Sequence, residues 1–124
     1  MRRVALAASC IAIALAGCGD DDGGDDTNGT VTEATGPASE ADRALAIEQA
    51  NAAYDRAKSG GFDLESGPCI AETVQGLPDW VVDVAHDPRQ PVDDDPANQC
   101  KRFNSGKASH VVELTPEGEL IRAE

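Results

Sequence analysis

Residues 39–58, SEADRALAIEQANAAYDRAK, carry the clearest periodic pattern in this chain of 124 residues. Apolar side chains recur there at 3-4-3 spacing, at Ile47, Ala50, Tyr54 and Ala57. Because an α-helix has about 3.6 residues per turn, this spacing places them on one face of a helix. The sequence therefore predicts a helix over residues 39–58, whose alanine-rich face can lie close against a sheet.

Both ends of this segment carry residues that begin or end helices. Ser39, with Asp42 three residues later, resembles a capping box. Lys58 suits the negative end of the helix dipole, and the pair Gly60-Gly61 favours termination. These signals support the same boundaries as the periodicity.

The sequence after the helix is typical of strands and loops. Residues 80–85 (WVVDVA) are β-branched and aromatic, with Trp80, Val82 and Val84 on one face of a strand. Further strands are predicted over residues 69–73, 100–103, 109–114 and 119–123, and residues 87–99 are predicted to be an exposed loop. A helix followed by such strands predicts an α+β fold. We expect one N-terminal helix packed on a small antiparallel sheet of three to five strands.

Residues 1–17 have the composition of an export signal. Arg2 and Arg3 are followed by an almost unbroken apolar run over residues 4–16. A membrane-spanning helix needs about 20 residues, so this run is too short to span but suits a signal peptide. It ends in Leu15-Ala16-Gly17-Cys18, which resembles the lipobox of bacterial lipoproteins.

This resemblance implies a lipid anchor at Cys18. In such proteins a diacylglycerol is attached to the cysteine sulfur, and the signal is cut off in front of that cysteine. Two or three acyl chains anchor a protein stably, whereas one is marginal. The resemblance predicts a protein held by lipid on the extracytoplasmic face of the cell membrane. The alternative is an ordinary secretory signal cleaved elsewhere.

Residues 18–38 are predicted to be the lipidated cysteine and a disordered tether. Residues 19–38 read GDDDGGDDTNGTVTEATGPA and contain no core-forming run. As a flexible coil they would reach roughly 25 Å. The alternative is a Ca²⁺ site built from the aspartates, although their spacing lacks the alternation and final glutamate of an EF-hand loop. The folded domain is then expected over residues 39–124.

The charge of the chain restricts its partners. The 10 basic and 23 acidic residues give a net charge of −13. Removal of Arg2 and Arg3 with the signal leaves 8 against 23, a net charge of −15. A nucleic-acid partner requires a basic surface, and anionic lipid would repel this chain. We expect contact with the membrane through the lipid on Cys18 and no nucleic-acid partner.

Cysteine counting predicts one disulfide. Of the four cysteines, Cys10 leaves with the signal and Cys18 carries lipid, so Cys69 and Cys100 remain. A pair in an exported chain forms a disulfide, and closing a loop of this length contributes roughly 3–4 kcal/mol. The alternatives are a thiolate nucleophile paired with a histidine, two unpaired thiols, or metal ligation.

The sequence contains no phosphate-binding glycine loop and no GxSxG, HExxH or CxxC motif, so we assign no catalytic residue, metal site or cofactor. His86, beside Asp87, could form half of an acid–base pair, and His110 could join it or share a zinc ion. The simpler interpretation is that both histidines end or flank strands. Asp93-Asp94-Asp95 is either a solvated loop or a contact for a cation.

The order of helix and strands, ending in HVVELTPEGELI (110–121), is similar to the PepSY family of small envelope domains. The similarity spans residues 39–123, and the insertion 87–99 and the cysteine pair depart from it. It implies a non-catalytic binding or peptidase-modulating module. We therefore expect a binding module at the cell envelope whose partner is an envelope protein or peptide. The alternative is a small hydrolase or metal-dependent enzyme that uses His86, His110 and the acidic loop.

Overall fold

The computed structural model describes residues 36–124. The predicted signal, the predicted lipid attachment site at Cys18 and most of the predicted tether lie outside these residues. The described part contains a long helix α1 (Glu40–Ser59), strands β1 (Cys69–Ala71), β2 (Trp80–Val84), β3 (His110–Leu114) and β4 (Leu120–Ala123), and a short helix α2 (Lys101–Asn104) between β2 and β3. Within this part of the chain, no helix is both long enough and apolar enough to cross a membrane.

The predicted N-terminal helix is confirmed as α1. The Ser39 hydroxyl accepts a hydrogen bond of 3.0 Å from the backbone N–H of Asp42, which caps the first turn. The buried face differs slightly from the predicted one, because Ile47 is only half-buried. The buried residues are Ala46, Ala50, Ala53, Tyr54 and Ala57. Since alanine is small, this face brings the helix backbone close to the sheet.

The sheet has the strand order β1-β2-β3-β4. The outer pairs are antiparallel, as predicted, but β2 and β3 run parallel, so the sheet is mixed. The expectation of a wholly antiparallel sheet is therefore wrong for the central pair. The physical reason is the connection of residues 85–109, which returns the chain to the end of the sheet where β2 began. Parallel neighbours require a long crossover of this kind.

The predicted strand at residues 100–103 is wrong, because Cys100 caps α2 and residues 101–103 belong to its single turn. The carboxylate of Glu72 accepts hydrogen bonds from the backbone N–H groups of Lys101, at 2.9 Å, and Arg102, at 3.0 Å. These groups have no partner inside a helix, so a carboxylate at this end stabilises the helical conformation. A contact from a residue remote in sequence thus decides the local structure.

The predicted disulfide is confirmed. Cys69 and Cys100 are bonded, with their Cα atoms 4.9 Å apart. The bond joins the edge strand β1 to the crossover connection just before α2. It therefore holds the connection against the side of the sheet that faces away from α1.

Both faces of the sheet are covered. Trp80, Val82, Val84, Val112 and Leu114 pack with α1 on the first face. Val81 and Val111 pack with Cys100 and Ala108 of the connection on the second face. Because two layers cover them, all residues of β2 and β3 are buried. This places Asp83 and Glu113, which share the second face with Val81 and Val111, beneath the connection.

Candidate functional site

A small cavity of about 100 Å³ lies between the second face of the sheet and the crossover connection. Its apolar wall includes Val81, Val111 and Phe103. Its charged lining residues are Asp83, Arg89, Glu113 and Arg122. We call this cavity the carboxylate pocket, and it is the candidate functional site of the domain.

Two carboxylates lie side by side in the carboxylate pocket. Asp83 on β2 is in register with Glu113 on β3, and neighbouring strands are separated by about 4.8 Å. The two residues are only 7% and 6% exposed. Burying two acidic groups together is costly unless each is compensated by hydrogen bonds or opposite charges.

Glu113 is fully compensated. Its Oε1 accepts a hydrogen bond of 3.1 Å from Arg89, and its Oε2 accepts one of 2.6 Å from Arg122. Burial by itself would raise the pKa of Glu113, but the hydrogen bonds and charges of Arg122 and Arg89 outweigh it and hold the pKa below its usual value. Glu113 therefore stays charged and fixes both guanidinium groups.

The two arginines are also held from their other sides. Arg89 donates to the carboxylate of Asp94 at 2.9 Å and to the backbone carbonyl of Asp93 at 3.3 Å. Arg122 donates to the carboxylate of Glu124. The guanidinium groups are therefore fixed parts of the pocket wall.

Asp83 is the group that remains uncompensated. Its Oδ1 is buried and has no hydrogen-bond partner among residues 36–124. Burial, together with the charge of Glu113, raises the pKa of Asp83 from 3.8 to about 7, although Arg89 opposes the shift. Near neutral pH this carboxyl group therefore exchanges between its neutral and charged forms.

His86 belongs to a separate cluster beyond the end of β2. Its Nδ1 lies 2.9 Å from Oδ1 of Asp93. The other carboxylate oxygen of Asp93, Oδ2, accepts hydrogen bonds from the backbone N–H groups of His86, at 3.1 Å, and of Gln90, at 2.7 Å. Burial would raise the pKa of Asp93, but these hydrogen bonds lower it. The expectation that Asp93 lies in an exposed loop is wrong, since it is 1% exposed. Its local hydrogen bonds outweigh the cost of burial.

His110 lies at the opposite end of the sheet from His86. It is the first residue of β3 and stacks on Trp80, with ring centroids 4.9 Å apart. Its Nε2 lies 3.7 Å from a carboxylate oxygen of Asp79. His110 is in register with Trp80, and Trp80 lies six residues before His86 in the chain. Because an extended strand rises about 3.3 Å per residue, the two histidines are separated by roughly 15–20 Å. The described structure does not bring them into one acid–base or zinc site.

The other predicted acidic ligands already have partners in the fold. Asp94 accepts from Arg89, and Asp95 accepts the backbone N–H of Ala97 at 2.9 Å. A further cluster of Cys69, Cys100 and Glu72 brings its potential ligand atoms within 4.8 Å of one another. The two sulfur atoms are bonded to each other, however, and metal ligation requires thiolates. This cluster acts as a structural link.

The sequence interpretation missed Asp83 and Glu113. Each is the fourth residue of a strand that is otherwise largely apolar, WVVDV and HVVEL. Strands covered on both faces are expected to be almost continuously apolar. A carboxylate at the matching position of two such strands was therefore the available signal.

No protein-family model matches this chain, and no curated protein or solved structure matches it either. The similarity to PepSY domains stays a prediction. The fold and the site define an α+β domain, stapled by one disulfide, with a small, partly open pocket that is lined by paired carboxylates.

Proposed function

We propose that this chain is a lipid-anchored protein on the extracytoplasmic face of a membrane, and that its folded domain binds a ligand or partner without catalysing a reaction. The observation that carries the proposal is the Cys69–Cys100 disulfide. Disulfides persist in oxidising compartments and are rare in the reducing cytosol. A domain of this kind therefore suits the outer side of a membrane.

The N-terminal sequence supports the anchor. Leu15-Ala16-Gly17-Cys18 follows an apolar run of signal-peptide length. The net charge of −13 for the whole chain makes electrostatic attraction to anionic lipid unfavourable. Covalent lipid is then the force that would hold the protein at the membrane.

The geometry of the domain supports binding. Asp83 lines a cavity and has a buried acceptor oxygen without a partner among residues 36–124, which is a feature that a ligand can use. His86 and His110, the best candidates for acid–base catalysis, lie at opposite ends of the sheet. The contacts of His86 are with the carboxylates of Asp93 and Glu65, which orient the ring within the fold.

Fatty-acid labelling tests the anchor. Cells that express the chain are grown with an alkyne-bearing fatty acid, and the purified protein is examined for incorporated label. We expect label on the wild type and on Cys10→Ser, because residue 10 lies in the part that is removed. We expect no label on Cys18→Ser. Equal labelling of Cys18→Ser and the wild type would contradict the proposal.

Capture from envelope extract tests the binding role. The immobilised chain should retain a specific envelope component, and excess free chain should compete with that retention. The location of the domain is checked with an externally added protease, in cells whose outer layers have been opened but whose cytoplasmic membrane is intact. The protease should cleave the domain in these cells. A domain that is cleaved only after the cytoplasmic membrane is broken would contradict an extracytoplasmic location.

A further inference from the structure

The carboxylate pocket contains an unused acceptor. Asp83 is 93% buried, and its Oδ1 has no hydrogen-bond partner among the described residues. Buried polar atoms almost always have a partner, because leaving one unpaired costs free energy. The oxygen itself is shielded from solvent, but its carboxyl group belongs to a residue that lines the cavity, and a rotation of that carboxyl group would present the oxygen to a donor placed there.

The described residues 36–124 do not supply this donor. The side chains around the pocket that carry N–H groups are Arg89, Gln99, Asn104 and Arg122. The two arginines donate to Glu113 and to other acceptors. The amide of Asn104 donates to Gln99 at 2.6 Å, and the amide of Gln99 donates to the carbonyl of Asp93 at 3.3 Å. Among the described residues the pocket therefore leaves Oδ1 of Asp83 open to a donor from a bound molecule, water included.

The charge around the pocket favours a positively charged donor. Glu113 and Asp83 lie inside it, and Asp94 and Glu124 hold the outer sides of the two arginines. In this network four carboxylates thus face two guanidinium groups, and the outer two carboxylates lie outside the pocket lining. A metal ion is a poor occupant, because hard cations need several oxygen ligands and both oxygens of Glu113 are held by arginines.

The size of the pocket limits the occupant to the end of a chain. A cavity of about 100 Å³ is much smaller than the roughly 300–1,000 Å³ of sites for drug-sized ligands. Val81, Val111 and Phe103 offer apolar contacts for methylene groups beside the carboxylates. A primary ammonium group on an unbranched alkyl chain matches both the polar and the apolar parts of the wall.

We propose that the carboxylate pocket binds a primary ammonium group at the end of an alkyl chain, with the carboxylate of Asp83 accepting a hydrogen bond from it. This inference deepens the proposed binding function and rests on it. A free alkylamine and the side chain of a lysine carry the same chemistry, so either could supply the group.

The binding should depend on pH in a defined way. The charges that face Asp83 are Glu113 on β3, Arg122 on β4, and Arg89 and Asp93 on the connection. Since the pKa of Asp83 is about 7 and the ammonium group requires its charged form, affinity should fall about tenfold per unit as pH drops below 7. Above pH 8 affinity should level off.

The test is a titration of the full chain in detergent, followed by NMR of the methyl groups of Val81 and Val111. The probes are n-butylamine, Nα-acetyl-lysine methyl ester and butyltrimethylammonium, which has the charge but no N–H donor. We expect the first two to shift the methyl signals, and the third to bind at least tenfold more weakly. Tighter binding of the lysine derivative would support a protein side chain as the natural source, and tighter binding of butylamine would support a free amine.

Matched variants locate the site. Asp83→Asn should weaken amine binding at least tenfold and remove its pH dependence. Asp55→Asn changes the net charge equally, but residue 55 is exposed on α1, which covers the other face of the sheet, so amine binding should be unchanged. Equal binding of butyltrimethylammonium, or no shift with any probe in the folded wild type, would overturn the inference. Labelling of Cys18 and capture of a partner do not use amines. A failure of amine binding would therefore leave the tests of the proposed function unaffected, and the reverse also holds.

Discussion

At the scale of single residues, Asp83 and Glu113 show how neighbouring carboxylates acquire different properties. Glu113 receives two guanidinium groups, which keep its pKa below the usual value despite burial. Asp83 receives no hydrogen bond at Oδ1 from residues 36–124, and burial raises its pKa to about 7. One carboxylate organises the pocket, while the other is left free to respond to pH or to a ligand.

The raised pKa of Asp83 predicts how stability depends on pH. In the folded state this group binds its proton more tightly than in the unfolded state, where the pKa is near 3.8. The free energy of unfolding should therefore fall as pH rises from about 5 to 7, and then level off. The lowered pKa values of Glu113 and Asp93 act only as pH falls below about 4.5, outside this window.

Asp83→Asn should remove most of this slope. At pH 8 the variant should be more stable than the wild type by roughly 1–3 kcal/mol, because it avoids a buried unpaired charge. At pH 5 this advantage should be smaller by most of that amount, since Asp83 is then neutral in the folded state. Urea unfolding at both pH values measures the difference. A wild-type stability that rises between pH 5 and 7 would show that Asp83 does not dominate this range.

At the scale of elements, the turns around the sheet are held by specific close contacts. Tyr54 of α1 donates a hydrogen bond of 2.9 Å to the carbonyl of Pro116, in the turn between β3 and β4. In the same way, the turn at Leu64–Ser66 ends at Gly67, which lies against the buried carboxylate of Asp93. These contacts join elements that are distant in sequence.

Gly67→Ala should weaken the contact with Asp93. Gly67 has a φ of +67°, and a Cβ atom there would lie 2.6 Å from Oδ1 of Asp93. Gly61 is the matched control, since its φ is +76° but a Cβ atom there would meet nothing within 4 Å. Gly61→Ala should cost about 1 kcal/mol from backbone strain alone.

Gly67→Ala should cost roughly 1–3 kcal/mol more than Gly61→Ala, because Asp93 must move from its hydrogen bonds or remain in a clash. Urea unfolding of the two variants at the same pH gives the comparison. Equal losses of stability would mean that Asp93 adjusts without cost, and that the contact does not hold the turn in place.

At the scale of the whole molecule, the described domain has two covering layers on one sheet. Helix α1 covers the first face through alanines, and the connection of residues 85–109 covers the second. The connection has little regular structure, so discrete links hold it in place. These are the Cys69–Cys100 disulfide, the Arg89–Glu113 ion pair and the hydrogen bonds from α2 to Glu72.

Removing the disulfide should therefore destabilise the domain. In Cys69→Ala/Cys100→Ala the unfolded chain gains conformational freedom, and the free energy of unfolding should fall by roughly 2–4 kcal/mol. Urea unfolding measures the loss, and reduction of the wild type should produce a similar one. Peptide mapping of the unreduced protein should recover the two cysteine peptides as a linked pair. Recovery of both cysteines as free thiols would contradict the structure.

Local patterns in the sequence determined much of the described fold. The helix, its Ser39 cap and the main strands at residues 80–84 and 110–114 were predictable, because periodicity and capping depend on residues close together in the chain. The disulfide partners followed from counting the cysteines left in the domain. The predictions for residues 1–17 and for Cys18 lie outside the described residues and await the labelling experiment.

Only the tertiary structure decided the direction of β3, the helical state of residues 101–104 and the existence of the carboxylate pocket. The path of the crossover connection sets the direction of β3, and the carboxylate of Glu72 stabilises the helical state of residues 101–104. The pocket exists because Asp83 and Glu113 meet in register beneath the connection, with arginines from two other segments. Each of these outcomes depends on contacts between residues far apart in the chain, and no local pattern encodes them.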